Sequence, residues 1–177
     1  MTVELHHFRR DDAPGLRQLL LDLYTDVYVG DPVGDTAAFG ERLDRWCTSP
    51  TWECVIGYDG QEAVGYAFGS PLPPDTDWWT RTAPHLSLDW IAETGSRTFT
   101  LAELGVRKPW RKTGVARRMH HELLAPRTEA RAVLRVLTSR TCLVEHYESW
   151  GYAHVPPAPA EGVRKVCAMV LALPIKA

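Results

Sequence analysis

Hydrophobic positions recur with two different periods along the chain, and their alternation predicts an order of elements. Thr2 to Phe8 reads as a short strand. Leu16, Leu19, Leu20, Leu23 and Val27 then fall at i, i+3, i+4, i+7 and i+11, one apolar stripe of a helix. Asp11 or Asp12 would cap it, and Pro14 sits in its first turn, where a missing N–H is harmless. Gly30-Asp31-Pro32 breaks it, and a second helix is expected from about Thr36 to Ser49-Pro50, with Phe39, Leu43 and Trp46 on one face. Strand-like runs from Thr51 to Tyr58 and on to about Gly69 flank Asp59-Gly60, a strong hairpin signal. Thr98 to Val106 is again a strand, broken by Pro109. Gly114 to Ala125 is a helix with Val115, Met119 and Leu123 inward and His120-His121 on the exposed side. Arg131 to Thr138 is a strand, and Cys142 to about Trp150 a short helix ended by Gly151. A strand near 150–155, a Pro-rich loop at 156–159 and a last strand from Val163 to Leu173 complete the pattern. Residues 71 to 97 show no clear period. At 27 residues the stretch exceeds an ordinary loop, so it is expected to be functional or to hold a short helix.

The order β-α-α-β-β-loop-β-α-β-α-β-β predicts an α/β or α+β fold with a mixed sheet, one domain over residues 1–177. A length of 177 residues fits a single domain that buries its core without metal or disulfide staples. With 45% hydrophobic and 24% charged residues, wholesale disorder is excluded. Twenty basic residues against 22 acidic ones give a net charge of −2, which argues against a dedicated nucleic-acid or membrane-surface binder. Apolar runs fall far short of the roughly 20 residues that span a bilayer, and Met1-Thr2-Val3-Glu4-Leu5 lacks the layout of a signal peptide. A cytoplasmic location is expected. Cys47, Cys54, Cys142 and Cys167 form no Cys-x-x-Cys pair, so neither a zinc site nor a redox dithiol is expected. Buried free thiols are the reading, although an even count leaves room for bridges.

Candidate chemistry concentrates after the 98–106 strand. Arg107, Lys108, Arg111, Lys112, Arg117 and Arg118 are six basic side chains in a stretch with no acidic one. The stretch ends a strand and opens a helix, and a helix start presents unpaired N–H groups and a positive dipole end to an anion. Gly114 allows close backbone approach, and the small Ala116 leaves room one turn in. The loop fits neither the Walker pattern nor Gly-x-Gly-x-x-Gly. Two other readings compete with phosphate binding. One is a solvated connecting loop. The other is a basic helix in a DNA groove, weakened by the near-neutral charge and the missing helix-turn-helix partner.

Arg111-Lys112-Thr113-Gly114-Val115-Ala116 fits Arg-x-x-Gly-x-Ala and resembles the acetyl-CoA pyrophosphate loop of the GNAT superfamily of N-acetyltransferases. Phe8 to Pro14 resembles that family's opening strand-to-helix junction, and Val55 to Ala67 its central hairpin. Tyr147-Glu148-Ser149-Trp150-Gly151-Tyr152 resembles its fourth-helix signature, and Met169-Val170-Leu171 its closing strand. Arg140 and Leu143 stand where the family often has Asn and Ala. The resemblance implies a mixed, mostly antiparallel sheet flanked by helices and splayed at the cofactor site. It implies acetyl-CoA or CoA held by Arg111, Lys112, Thr113, Gly114, Val115 and Ala116, with backbone groups of Leu104, Gly105 and Val106 along the pantetheine arm, and no metal. It also implies that Tyr147 protonates the leaving thiolate, where a half-buried core tyrosine is the alternative.

The expected reaction is direct attack of an amine on the thioester in a ternary complex. A Lys-like amine with a pKa of roughly 10.4 is mostly protonated at neutral pH, so a base is required. Glu103 is the candidate, on the strand beside the loop, on the face of Leu101 and Gly105 and opposite Ala102, Leu104 and Val106. A salt bridge to a neighbouring Arg is the competing reading, since a strand acid is costly to bury unless paired or used. Trp78, Trp79 and Trp90, with Asp75, Asp77, Asp89 and Glu93 near them in sequence, suggest that 71–97 is an acceptor lid suited to small cationic amines. A structural cover over apolar sheet surface is the alternative. The expected partner is a small-molecule or peptide amine acceptor, with no nucleic acid and no membrane, and a homodimer is left open. The rival function is a non-catalytic CoA-binding sensor or interaction module.

Overall fold

A computed structural model describes residues 2–32, 34–155 and 166–175. The chain divides into two compact units, residues 1–70 with 101–126 and residues 71–100 with 127–177.

The first unit is built on strands β1 (Glu4–Arg9), β2 (Glu53–Asp59) and β3 (Glu62–Pro71, its last residue in the second unit) and on the C-terminal part of β4 (Thr98–Val106). Strands β1 and β2 pair antiparallel, as do β2 and β3. Gly60, at φ +62°, makes the turn of the β2–β3 hairpin, and Asp59 belongs to the strand rather than to the turn. Helices α1 (Ala13–Val27) and α2 (Thr36–Trp46) pack on one apolar cluster. From α1 it takes Leu20, Leu23, Tyr24 and Val27, from α2 Phe39 and Leu43, and from the strands Ile56, Tyr66 and Phe68. Tyr24 and Phe39 stack with ring centres 4.0 Å apart, which locks the two helices together. Full burial of one such ring is worth about 1.5–3 kcal/mol, so Phe39→Ala would cost the unit its largest α2 contact.

The helix starts are set by capping. The Asp35 carboxylate accepts from Ala38 N–H and opens α2. Asp12, expected to cap α1, instead accepts from Arg9 N–H at 2.8 Å, and a short 3-10 turn, Arg10–Asp12, leads into α1. Helix α5 (Val115–Leu124) buries Val115, Met119, Leu123 and Leu124, and with them His120 at 3% exposure. Placing His120 on the surface was therefore wrong. The buried arc of α5 is wide enough to include the position next to Met119, and burial pushes the His120 imidazole down to about 4.

The second unit holds β5 (Arg131–Leu137), β6 (Ala153–His154) and β7 (Val166–Ala172), with α3 (Trp78–Thr82), α4 (Leu88–Ile91) and α6 (Thr141–Glu148). Strands β5 and β7 pair antiparallel, β7 pairs β6 likewise, and Thr98–Thr100 of β4 run parallel to Arg131–Val133 of β5. Among the described residues that parallel ladder covers three pairs. The aperiodic stretch 71–97 supplies α3, α4 and much of this unit's core, which gathers Leu72, Trp78, Trp79, Ala83, Val133, Val155 and Ala168. The Pro-rich loop and the expected first residues of the last strand lie outside the described residues.

Strand order is β1-β2-β3-β4-β5-β7-β6, a seven-stranded open sheet in which β4 runs from one unit into the other. All four cysteines are free. Among the described residues no helix is long and apolar enough to cross a membrane, and no cluster of three or more His, Cys, Asp or Glu could hold a metal ion.

Candidate active site

The loop between β4 and α5 is pinned by its side chains. Arg107 donates to Asp26 at 2.6 Å, to Glu62 at 3.2 Å and to the Ala63 carbonyl at 2.7 Å. A short 3-10 turn follows at Lys108–Trp110, where Trp110 Nε1 donates to Asp59. Thr113 Oγ1 donates back to the Trp110 carbonyl. Arg111 turns inward, with Nε on the Val106 carbonyl at 2.9 Å and a terminal nitrogen on the Val27 carbonyl at 2.7 Å. It ties the end of β4 to the last turn of α1, so its guanidinium shapes the loop.

Two residues of this loop adopt the left-handed conformation, Lys112 at φ +63° and Gly114 at φ +86°. Lys112 does so at a steric cost that glycine does not incur. Gly114 is the N-cap of α5 and offers no side chain, and a Cβ there would meet nothing within 4 Å. The first backbone bond onto the Gly114 carbonyl comes from Arg118. The N–H groups of Val115, Ala116 and Arg117 therefore lie ahead of the helix's own bonding, at its positive dipole end. Val115 turns its side chain into the core at 3% exposure, so what it can offer a ligand is its N–H. Of the six basic side chains in the stretch, Arg107, Arg111 and Arg118 are bound to protein groups. Lys108, Lys112 and Arg117 are exposed and could meet further negative charge.

On β4 itself, Leu104 is half-buried and Gly105 and Val106 are buried. Gly105 is required by packing, because a Cβ there would meet the Tyr66 ring at 3.0 Å. Glu103 keeps 19% of its side chain exposed and lies 3.7 Å from Arg42 of α2. Burial raises its carboxyl to about 7, and the nearby guanidinium opposes that shift. The neighbouring-Arg pairing weighed for Glu103 is thus present, though long. Ala102 packs against the apolar cluster of this unit.

In the second unit, Tyr147 sits on α6 at 7% exposure, with Trp150 and Tyr152 edge-on at 5.6 Å each. Trp78 and Trp79 are 5% and 1% exposed, which leaves almost no ring surface for an acceptor. Glu93 Oε1 accepts from Trp79 Nε1 and Thr98 Oγ1, each at 2.7 Å, and from Arg131 at 3.1 Å. The Arg131 guanidinium lies 4.8 Å from the Trp79 ring centre and 4.1 Å from that of Trp90. Asp77 pairs with Arg81. Trp78, Trp79, Trp90, Asp77 and Glu93 are thus engaged with the protein's own arginines, while the side chains of Asp75 and Asp89 are exposed.

Arg42, Tyr24 and Tyr66 went unremarked in the sequence. Arg42 follows Phe39 by three positions on an amphipathic helix, and Tyr66 stands in an apolar strand. Neither signal separates a site residue from ordinary packing until β3, β4 and α2 are brought together.

This open, mostly antiparallel seven-stranded sheet with flanking helices is the fold of the GNAT acetyltransferases. An acetyltransferase from Thermus thermophilus superposes with a TM-score of 0.62 at 18% identity over 98% of each chain. Arabidopsis thaliana NAA60, in complex with a bisubstrate analogue, gives 0.62 at 14% identity over 99% of this chain and 100% of that one. PaiA N-acetyltransferase from Thermoplasma acidophilum, in complex with coenzyme A, gives 0.56 at 9% identity over 98% and 100%. No family model and no curated protein sequence matches the chain. The likeness is therefore one of fold, and the chemistry rests on the residues above.

Proposed function

We propose that the protein is an N-acetyltransferase that moves an acetyl group from acetyl-CoA to an amine of a small molecule or peptide, by direct attack in a ternary complex. The observation that carries this reading is the β4–α5 loop. Two left-handed residues precede three helix N–H groups, with no side-chain cap and open space at Gly114. That arrangement is a nest for a pyrophosphate. Lys112, Thr113, Gly114, Val115 and Ala116 would offer it N–H groups, and Arg111 would hold the loop in shape. Lys108, Lys112 and Arg117 supply positive charge. Leu104, Gly105 and Val106 would align the pantetheine arm through strand backbone.

Glu103 takes the proton from the attacking ammonium, directly or through water. Its elevated carboxyl, at about 7, suits a base working near neutrality. As the new N–C bond forms and the C–S bond breaks, Tyr147 supplies a proton to the departing thiolate. The fold supports the reading, since neighbours sharing it include PaiA N-acetyltransferase with coenzyme A and NAA60 with a bisubstrate analogue. The test is a thiol-release assay with acetyl-CoA across a panel of small amines and peptides, beside calorimetry of CoA binding. Binding together with release on at least one amine supports the proposal. Binding without release on any amine reduces the protein to a CoA-binding module.

A further inference from the structure

Tyr66 stands on β3 with no solvent exposure, and its hydroxyl is buried without a hydrogen-bond partner. A buried hydroxyl in that state lowers stability, and phenylalanine would fill the same space without the loss. The ring is fixed in place, lying 6.3 Å from Phe39 and 6.0 Å from Phe68. On its other side it covers Gly105, where a Cβ would meet two ring carbons at 3.0 and 3.2 Å and the hydroxyl oxygen at 3.2 Å. The hydroxyl thus lies against the backbone of β4, two positions along the strand from Glu103. Of the ionisable groups around it Glu103 acts on it most strongly, ahead of Tyr28, Tyr24 and Cys54.

Glu103, for its part, is loosely held. Arg42 stands off at 3.7 Å while also donating to the Tyr24 hydroxyl at 3.5 Å and lying over the Phe39 ring at 5.9 Å. A carboxylate held by one long ion pair is a poorly aimed base. We propose that Tyr66 is a positioning residue for Glu103, its hydroxyl donating a hydrogen bond to the ionised carboxylate and aiming it at the acceptor amine. The proposal rests on the reading of Glu103 as the base. The groups that face this pair are Tyr24 from α1, Tyr28 just after it, Arg42 from α2 and Cys54 from β2. Of these only Arg42 is charged at neutral pH, so a second donor to the carboxylate has to be neutral.

Tyr66→Phe separates a positioning role from packing. If the hydroxyl positions Glu103, the variant should lose about tenfold in kcat, with the KM for acetyl-CoA unchanged. The acid limb of its pH profile should move to higher pH, because the charged carboxylate loses a donor. In a Glu103→Gln background the same substitution should change kcat less than about twofold, since there is no carboxylate left to aim. Unchanged kcat and acid limb would overturn the proposal. So would an equal loss in both backgrounds. Wild-type turnover by Glu103→Gln, or no amine acetylated at all, would instead overturn the base assignment itself.

Discussion

Glu103 is subject to two opposing influences: burial favours its neutral form, and Arg42 favours its charged one. Its folded value of about 7 exceeds the ordinary 4.5, so the folded state binds a proton that the unfolded chain releases. The stabilisation this gives is complete below pH 4.5 and is lost as pH rises through about 7. Glu103→Gln keeps the shape and removes the charge. Relative to wild type its melting temperature should therefore be higher at pH 8 than at pH 5, while kcat falls ~10²-fold. A mutant-minus-wild-type difference that is flat with pH would show that the carboxyl ionises freely in the fold. Arg42→Gln should push the acid limb of kcat/KM to higher pH, because the opposing guanidinium is gone. His120 works in the other direction. Its folded value, about 4, lies below the ordinary 6.5, so stability is lost as pH falls from 6.5 toward 4. His120→Gln should flatten that acid-side decline in a thermal melt series.

At the scale of elements, the sequence period reads well where an element has one wet face and one buried face. Of the stripe Leu16, Leu19, Leu20, Leu23 and Val27 the last three are buried and the first two half-buried, and β4 spans the residues expected of it. The period fails where burial is nearly complete. His120 is polar yet buried, because α5 buries a wide arc. Trp78, Trp79 and Trp90 belong to helices of five and four residues, too short to show a period at all. The glycine at the start of α5 was legible in the sequence, but the inward turn of Arg111 was not. A basic residue in a basic loop gives no sign that its partners will be the carbonyls of Val106 and Val27. On the proposed reading the loop would bind CoA chiefly through its backbone, which two substitutions test. Gly114→Val forces a β-branched residue to φ +86° and should weaken CoA binding at least about tenfold by calorimetry. Lys112→Gly gives up a charge but relieves a strained φ of +63°, and should bind CoA within a fewfold of wild type. Should Lys112→Gly prove the weaker of the two, side-chain charge rather than the nest carries the phosphate.

For the molecule as a whole, the open matter is what the 71–97 segment contributes. An acceptor lid needs aromatic faces that a ligand can reach and carboxylates that are free to meet a cation. The segment instead puts Trp78 and Trp79 into the core of its unit with Leu72, Val133 and Ala168, and its Glu93 takes three hydrogen bonds. Arg131 supplies the cation against Trp79 and Trp90. These are the contacts of a structural cover, and they define a measurable difference. Truncating a buried tryptophan to alanine costs about 3–5 kcal/mol. In a chain of this length each kcal/mol shifts the melting temperature by roughly 2–4 °C. Trp79→Ala should therefore lower it by roughly 10 °C, and Trp78→Ala by a similar amount, with the acceptor KM of the folded fraction unchanged in both. Glu93→Gln should also destabilise, since Oε1 loses the charge that its three donors share and Arg131 is left without a carboxylate partner at that site. A raised acceptor KM in Trp78→Ala or Trp79→Ala, with the melting temperature intact, would restore the lid.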